Sequence, residues 1–435
     1  MKKIKTVYIG MSADIIHHGH MKLLEEARKY GKIIIGLFTD AAVAEYKRVP
    51  YLNYKQREKI LKNFQGVVKV IAQKEWDYST NVKKLKPDFF IHGDDWKRGY
   101  MGNIRKNVLK ALKSYGGKLI EIPYTKDISS SALVDNQNSL SITPDIRRGI
   151  FRRLVESKKI SRYLETHNPL SAIIAENTYF EKNGIRNGFD GFWSSSLTDS
   201  TVLGKPDNES LEISQRLSGI NQIFDVTTKP LIFDGDTGGK IEHFEMKIKS
   251  IERLGISAVI LEDKTGLKKN SLLKNTSNQI QENKNKFAEK ILVGKKAQIS
   301  DDFMIIARIE SFILGKGLND AMSRAHTYID ASADGIMIHS KSKNPNEIFS
   351  FAKLFRKSYK KIPLICVPSS YSQVKEKELI ENGFNVVIYA NHMLRASYPA
   401  MRKVALKILK NGRSKEADKD LFNIKSILDL IPGTN

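Results

Sequence analysis

The chain has 435 residues, 41% of them apolar, which is too long for one ordinary core and predicts two or three packed domains. Its single cysteine, Cys366, excludes an intrachain disulfide and a cysteine-built metal cage; no run reaches the length of a membrane span, and the apolar stretch after Met1-Lys2-Lys3-Ile4-Lys5 ends too soon, at Gly10, for a signal peptide, so a cytoplasmic enzyme is expected. The net charge of +24 comes from lysines scattered among acidic and apolar residues, as in Phe287-Ala288-Glu289-Lys290, which reads as a Lys-rich surface that steers anionic ligands and not as a nucleic-acid interface.

The first part alternates strand-like and helix-like patterns. Thr6-Val7-Tyr8-Ile9 is the first expected strand. Residues 21–30 put Leu23, Leu24, Ala27 and Tyr30 on one helical face, with Gly31 as the expected C-cap. Further strands are expected at 32–37, 67–71, 89–91 and 118–122. This alternation predicts an α/β fold, a parallel sheet flanked by helices. The pattern stops at residues 134–139, and the polar stretch 135–146 reads as a linker. The expected domains are therefore 1–134 and 147–435.

A second series follows. Its strands are expected at 172–175, 191–193, 230–234, 258–261, 304–307, 335–338, 363–367 and 386–389. Eight buried-type strands with helical segments between them predict a (β/α)8 barrel. Barrel chemistry sits at the C-terminal strand ends, which here carry Glu176, Ser195, Asp234, Glu262, Arg308, His339, Ser369 and Asn391. The tail after Lys410 reads as helical.

Two sequence clusters carry chemistry. In Asp14-Ile15-Ile16-His17-His18-Gly19-His20, His17 and His20 stand at a helix start. There their N–H groups add to the positive end of the helix dipole and suit phosphate oxygens. Gly19 lets the backbone come close to such a group. His92-Gly93-Asp94-Asp95-Trp96 follows one strand and Ile128-Ser129-Ser130-Ser131 another. This ensemble resembles the cytidylyltransferases of the glycerol-3-phosphate type over the first third of the chain. The resemblance implies a Rossmann-like nucleotidyltransferase domain that binds CTP through His17, Gly19, His20, Lys47, Asp94, Ser129 and Ser130. Arg57 falls on a family arginine. Two departures stand out. The run Gly10-Met11-Ser12-Ala13-Asp14 is one residue longer than the family's spacing, and Tyr124-Thr125-Lys126 stands where the family has an arginine. A lysine there lacks the bidentate fork.

The second cluster is Glu262-Asp263-Lys264-Thr265-Gly266-Leu267-Lys268-Lys269-Asn270-Ser271. Asp234-Gly235-Asp236-Thr237-Gly238, Trp193-Ser194-Ser195-Ser196-Leu197 and Asp207 accompany it, and Arg308 and His339 end later strands. Together they resemble the phosphoenolpyruvate mutase branch of the isocitrate lyase superfamily, from about Arg147 to the end of the barrel. The lyase branch carries a catalytic cysteine in the mobile loop. Here the only cysteine lies in a strand, which disfavours that chemistry.

The resemblance implies Mg2+, with Asp234 as direct ligand and Asp236 and Glu262 on metal-bound waters. It implies Arg308 and His339 at the phosphoryl group, Trp193, Ser195, Ser196 and Leu197 around the pyruvate part, and a gating loop of Lys268, Asn270 and Ser271 steadied by Asp207. The expected function is interconversion of phosphoenolpyruvate and phosphonopyruvate, with CMP transfer from CTP to a phosphonate such as 2-hydroxyethylphosphonate. The alternative is a phosphonopyruvate hydrolase barrel with a non-catalytic nucleotide-binding module. Small-molecule substrates, no nucleic acid, no membrane and a homo-oligomer are expected.

Overall fold

Five parallel strands, β1 (Thr6–Met11), β2 (Lys32–Phe38), β3 (Val67–Gln73), β4 (Phe89–Gly93) and β5 (Lys118–Ile122), pair in the order β3-β2-β1-β4-β5. The computed structural model describes residues 4–46, 48–97, 99–123, 142–182, 185–266, 268–271 and 279–431. All five strands expected in this region are present. Helices α1 (His18–Arg28), α2 (Asp40–Ala44), α3 (Tyr54–Lys62), α4 (Ser79–Leu85) and α5 (Gly99–Lys113) accompany the sheet.

The strands alternate their side chains between two cores. Tyr8, Ile34 and Phe90 join Trp96 and Val108 in one; Val7, Ile9, Ile35 and Ile91 join Leu24 and Leu61 in the other. The strand order reverses between β1 and β4. In a doubly wound sheet the crevice outside the carboxyl ends of those two strands is the ligand site. The histidine cluster follows β1 and Asp94 follows β4, so both stand there. Helix α1 is capped at Lys29, not at Gly31 as expected. Gly31 instead packs on the chain at Lys5, where a Cβ would collide with the Lys5 carbonyl.

Most of the expected linker lies outside the described residues. Helix α6 (Pro144–Ser157), with proline in its first turn, already occupies the linker's last residues.

The second region is a closed parallel barrel of β6 (Ser161–Glu165), β9 (Gly191–Ser194), β10 (Leu231–Asp234), β11 (Ala258–Glu262), β14 (Met304–Ile309), β15 (Gly335–Ile338), β16 (Leu364–Cys366) and β17 (Val386–Tyr389). An exposed hairpin, β7 (Tyr179–Lys182) with β8 (Ile185–Gly188), precedes β9. A short ribbon, β12 (Lys264–Thr265) with β13 (Ile280–Gln281), follows β11.

One strand differs from expectation. Residues 172–175 lie in the helix Pro169–Asn177, and the first barrel strand is β6. A short apolar run does not distinguish strand from helix. The decisive signal is Asn168-Pro169, a capping residue followed by proline in the first helical turn. Glu176 is consequently away from the barrel mouth, where it accepts the Thr228 backbone N–H at 3.0 Å.

The barrel's inner and outer layers follow the two-residue period of its strands. Tyr163, Trp193, Ile232, Ile260, Ile306, Met337 and Ile365 fill the interior, and Phe151 and Val155 of α6 pack into the same cluster. Phe192, Phe233, Val259, Leu261 and Ile305 face the surrounding helices. The same parity, continued to the strand ends, turns Ser195, Asp234, Glu262, Arg308 and His339 inward. It turns Asp263 outward, where Arg324, Tyr328 and Gln281 all bond its Oδ2.

Candidate active sites

The barrel mouth forms one pocket. It is lined by Trp193, Ser195, Ser196, Leu197, Asp207, Asp234, Glu262, Lys268, Asn270, Ser271, Arg308 and His339, twelve of the expected residues. Asp236 does not line it and stands behind Lys268, whose ammonium contacts it. Lys269, Met337, Val367, Ser369, Ala390 and Asn391 complete the wall.

Lys268 and Asn270 lie on the loop that rises from the β12–β13 ribbon. Both are held by Asp207: Lys268 Nζ donates to Oδ1 at 2.6 Å and Asn270 Nδ2 to Oδ2 at 2.8 Å. Lys268 also contacts the Ser196 hydroxyl. The far side of the loop is tied to the floor through Ser271. Its hydroxyl donates to Glu310 Oε2 at 2.5 Å and lies 2.9 Å from both Arg308 Nη2 and Lys264 Nζ.

Glu310 is the residue the sequence reading missed. It is fully buried, accepts from Arg308 Nε at 2.6 Å and faces His339 Nδ1 at 3.0 Å. The signal was available. Arg308 and Glu310 are two apart, so a strand that turns one inward turns the other inward as well. Arg216 was also missed. From the helix Ile213–Asp225 it bonds Asp199 Oδ2 at 2.9 Å and the Asp234 carbonyl at 2.6 Å.

Charge around the pocket is unequal. Six acids (Asp199, Asp207, Asp234, Asp236, Glu262 and Glu310) stand with five cations (Arg216, Lys264, Lys268, Lys269 and Arg308). Burial works to raise all the buried acids, and the cations decide which ones yield. Asp234 is held below the usual carboxylate range, because Lys268, Arg308 and Arg216 outweigh its burial. Asp236 is pushed up to about 6 by burial and by the neighbouring Asp234 charge. Glu262 is pushed up to about 7 by burial, against the pull of Arg308 and Lys264. Burial lowers the His339 imidazole, and the adjacent Arg308 charge lowers it further.

The arrangement has room for a cation of hard preference. Glu262 Oε1 is buried and accepts no hydrogen bond, while Oε2 takes both Lys264 and Arg308 at 3.3 Å. Such an orphaned oxygen needs a donor or a positive ion. Among the described residues no three of His, Cys, Asp and Glu converge to ligate one ion together. The orphaned Glu262 oxygen, in one pocket with Asp234, suits an oxygen-preferring ion that keeps most of its waters, as Mg2+ does.

The N-terminal site is built differently. His17 is the N-cap of α1, and its Nδ1 accepts from Gly19 N at 3.2 Å. His20 Nδ1 accepts from His17 N at 3.4 Å, and the two rings stand 4.1 Å apart. Burial, reinforced by His17, pulls His20 down to about 4, and burial with His18 lowers His17. With both Nδ1 atoms accepting, each ring turns Nε2 outward at the positive end of a helix. Asp14 receives Tyr51 N and Arg48 Nη2, each at 2.6 Å. Ala13, in the run that is one residue longer, takes the left-handed φ of 51°. Asp94 opens the turn Asp94–Trp96, whose Trp96 stacks on His92 at 4.0 Å. Arg57 is a buried clamp, giving hydrogen bonds to the Leu52, Phe38 and Ser12 carbonyls and to Asp40. Lys47, Ser129 and Ser130 lie outside the described residues.

Fold and sites together define a nucleotidyltransferase-type α/β domain joined to a (β/α)8 barrel enzyme with an acid-and-arginine mouth under a loop. The chain belongs to the phosphoenolpyruvate phosphomutase family, whose profile matches residues 151–409, and a cytidylyltransferase-like profile matches residues 8–136. Phosphoenolpyruvate phosphomutase of Tetrahymena pyriformis is 35% identical over 280 residues, 64% of this chain and 89% of that one. A solved phosphonopyruvate hydrolase in complex with oxalate and Mg++ is 32% identical with a TM-score of 0.57, over 66% of this chain and 95% of its own. Glycerol-3-phosphate cytidylyltransferase of Bacillus spizizenii is 33% identical over 142 residues, 32% of this chain and 100% of that enzyme. Two enzyme domains thus share one polypeptide. No helix among the described residues is long and apolar enough to cross a membrane.

Proposed function

We propose that the barrel interconverts phosphoenolpyruvate and phosphonopyruvate with Mg2+ bound. The N-terminal domain, residues 1–134, transfers CMP from CTP to a phosphonate such as 2-hydroxyethylphosphonate and releases pyrophosphate. The observation that carries the mutase half is the loop fastened over the pocket: Lys268 and Asn270 both bind Asp207 on one side, and Ser271 binds Glu310 on the other.

In the forward direction the enol C–O–P linkage breaks at phosphorus, and the phosphoryl group leaves as a loose, metaphosphate-like unit. The pyruvate enolate then takes it up at its methylene carbon, so atoms and charge balance within one molecule. Such a transition state needs positioning and charge neutralisation more than covalent help. Asp234 and Glu262 would hold Mg2+, with Asp236 behind Lys268, and the ion would supply charge neutralisation for the pyruvate carboxylate and oxygen. Arg308 supplies a permanent charge, because Glu310 and Glu262 hold its guanidinium protonated against the cost of burial. His339 Nδ1 accepts from Arg308 Nη2, which leaves the ring proton on Nε2 for a phosphoryl oxygen. Asn270 presents an amide to the travelling group. The fastened loop keeps water from the phosphorus, and water is what separates a mutase from a hydrolase.

At the other site, neutral His17 and His20 donate N–H groups to the triphosphate as the phosphonate oxygen attacks the α-phosphorus. The helix His392–Asn411 buries none of its residues and exposes Tyr398, Met401 and Leu409, which supports a homo-oligomer that covers it.

A 31P NMR time course of phosphonopyruvate with Mg2+ tests the barrel. Phosphoenolpyruvate is the expected product, and inorganic phosphate as the sole product would make the barrel a hydrolase. Pyrophosphate release from CTP across a set of phosphonates tests the other domain.

A further inference from the structure

Helix α6 serves both domains. Phe151 and Val155 face the barrel interior, while Leu154, with Ile150 beside it, packs on Ala44 and Val49 of the N-terminal domain. Between them Arg153 reaches across. Its Nη1 donates to the Tyr51 carbonyl at 3.0 Å, and its Nη2 lies 3.8 Å from Asp40 Oδ2. Tyr51 is held from the opposite side as well, where its N–H donates to Asp14 Oδ1 at 2.6 Å. Asp14 stands three residues before His17, at the start of the histidine cluster. Asp40 in turn binds Tyr54 N at 3.2 Å and Arg57 Nη2 at 2.6 Å, and Arg57 bonds the Ser12 carbonyl. A continuous set of bonds therefore runs from the barrel's entry helix to the turn that leads into α1.

We infer that Arg153 is a positioning residue for the nucleotide site: the barrel, through α6, fixes the segment 48–53 and with it Asp14 and the approach to His17. CTP affinity in this chain then depends on the barrel being attached and seated. The inference rests on the nucleotide reading above. Electrostatics agree with the geometry. Burial lowers the Arg153 guanidinium, and the Asp40 and Asp14 carboxylates pull it back up. Removing Arg153 leaves Asp40 its bond to Arg57, so the local fold keeps its main clamp while Tyr51 loses the donor to its carbonyl.

The test uses the full-length protein with Arg153→Ala and Arg153→Lys. The expected result for Arg153→Ala is a rise in the KM for CTP of about 5- to 20-fold, the range for one coupling contact. The kcat should stay within about twofold, with phosphonopyruvate turnover unchanged, and Arg153→Lys should recover part of the loss. Hydrogen exchange should quicken at residues 48–53 and 12–20 and nowhere in the barrel. Wild-type KM and exchange in Arg153→Ala would overturn the inference. So would a loss spread evenly over both activities with no rescue by lysine, which marks an ordinary structural contact. A wild-type protein that binds no CTP would instead defeat the nucleotide reading, and the exchange comparison alone would then judge the coupling.

Discussion

Both sites stand at the carboxyl ends of parallel strands, yet they handle charge in opposite ways. The barrel mouth gathers buried ions of both signs and fastens a loop above them. Among its described residues, the N-terminal crevice offers His17 and His20, whose imidazoles burial holds below their usual range, with a helix dipole and backbone N–H groups. On the proposed reactions, a migrating PO3 unit must be held by fixed charge in a dry place, whereas pyrophosphate must depart. A buried charge network is sensitive to the loss of one member, because the partner left behind is an uncompensated ion.

The sharpest way to break this contrast is Asp234→Asn. It removes the acid that three cations surround, and mutase turnover is expected to fall about 10³-fold. Pyrophosphate release from CTP should be untouched. Assaying both activities on one preparation checks it, and a parallel fall in both would mean the sites are not separate.

Next in size is Glu310→Gln. It weakens three contacts at once, to Arg308, Ser271 and His339. A loss of about 10- to 100-fold in mutase kcat is expected, the usual effect of an orienting partner behind a binding group. Retention of wild-type kcat would show that Arg308 needs no such support.

The smallest effect belongs to the neutral histidines. The unfolded chain takes a proton on His20 near pH 6.5, which the folded domain refuses until about pH 4. Stability of the N-terminal domain is therefore full above pH 6.5 and declines as pH falls toward 4, by on the order of 2 kcal/mol. Two of the three tryptophans, Trp76 and Trp96, lie in this domain. In a Trp193→Phe background their fluorescence follows its urea unfolding alone, and a flat profile from pH 7 to 4.5 would refute the expectation.

The parallel sheet, the closed barrel and the crowded mouth were legible because strand parity and polar strand ends are written in the chain. Asp234, Glu262, Arg308 and His339 each sit at the end of an apolar run. What escaped were residues whose meaning depends on a partner far away in sequence. Arg216 reaches the site from a helix, and nothing beside it announces Asp199 or Asp234 as its partner. Glu310 lies one step past the strand and reads as loop until Arg308 is seen to point the same way. The run 172–175 misled because apolar composition outweighed the capping signal at Asn168. Arg57 was readable as a family position, but only the structure shows it bonding carbonyls of its own domain.

The Ser271 hydroxyl has a consequence for timing. It belongs to the loop, yet it shares its bonds with Arg308 and Glu310 on the floor. Lifting the loop therefore strips a partner from Arg308, the side chain proposed to hold the phosphoryl group. Departure of the product and exposure to solvent become a single event, so an analogue that satisfies Arg308 well would be trapped and leave slowly, however weakly the rest of it is held.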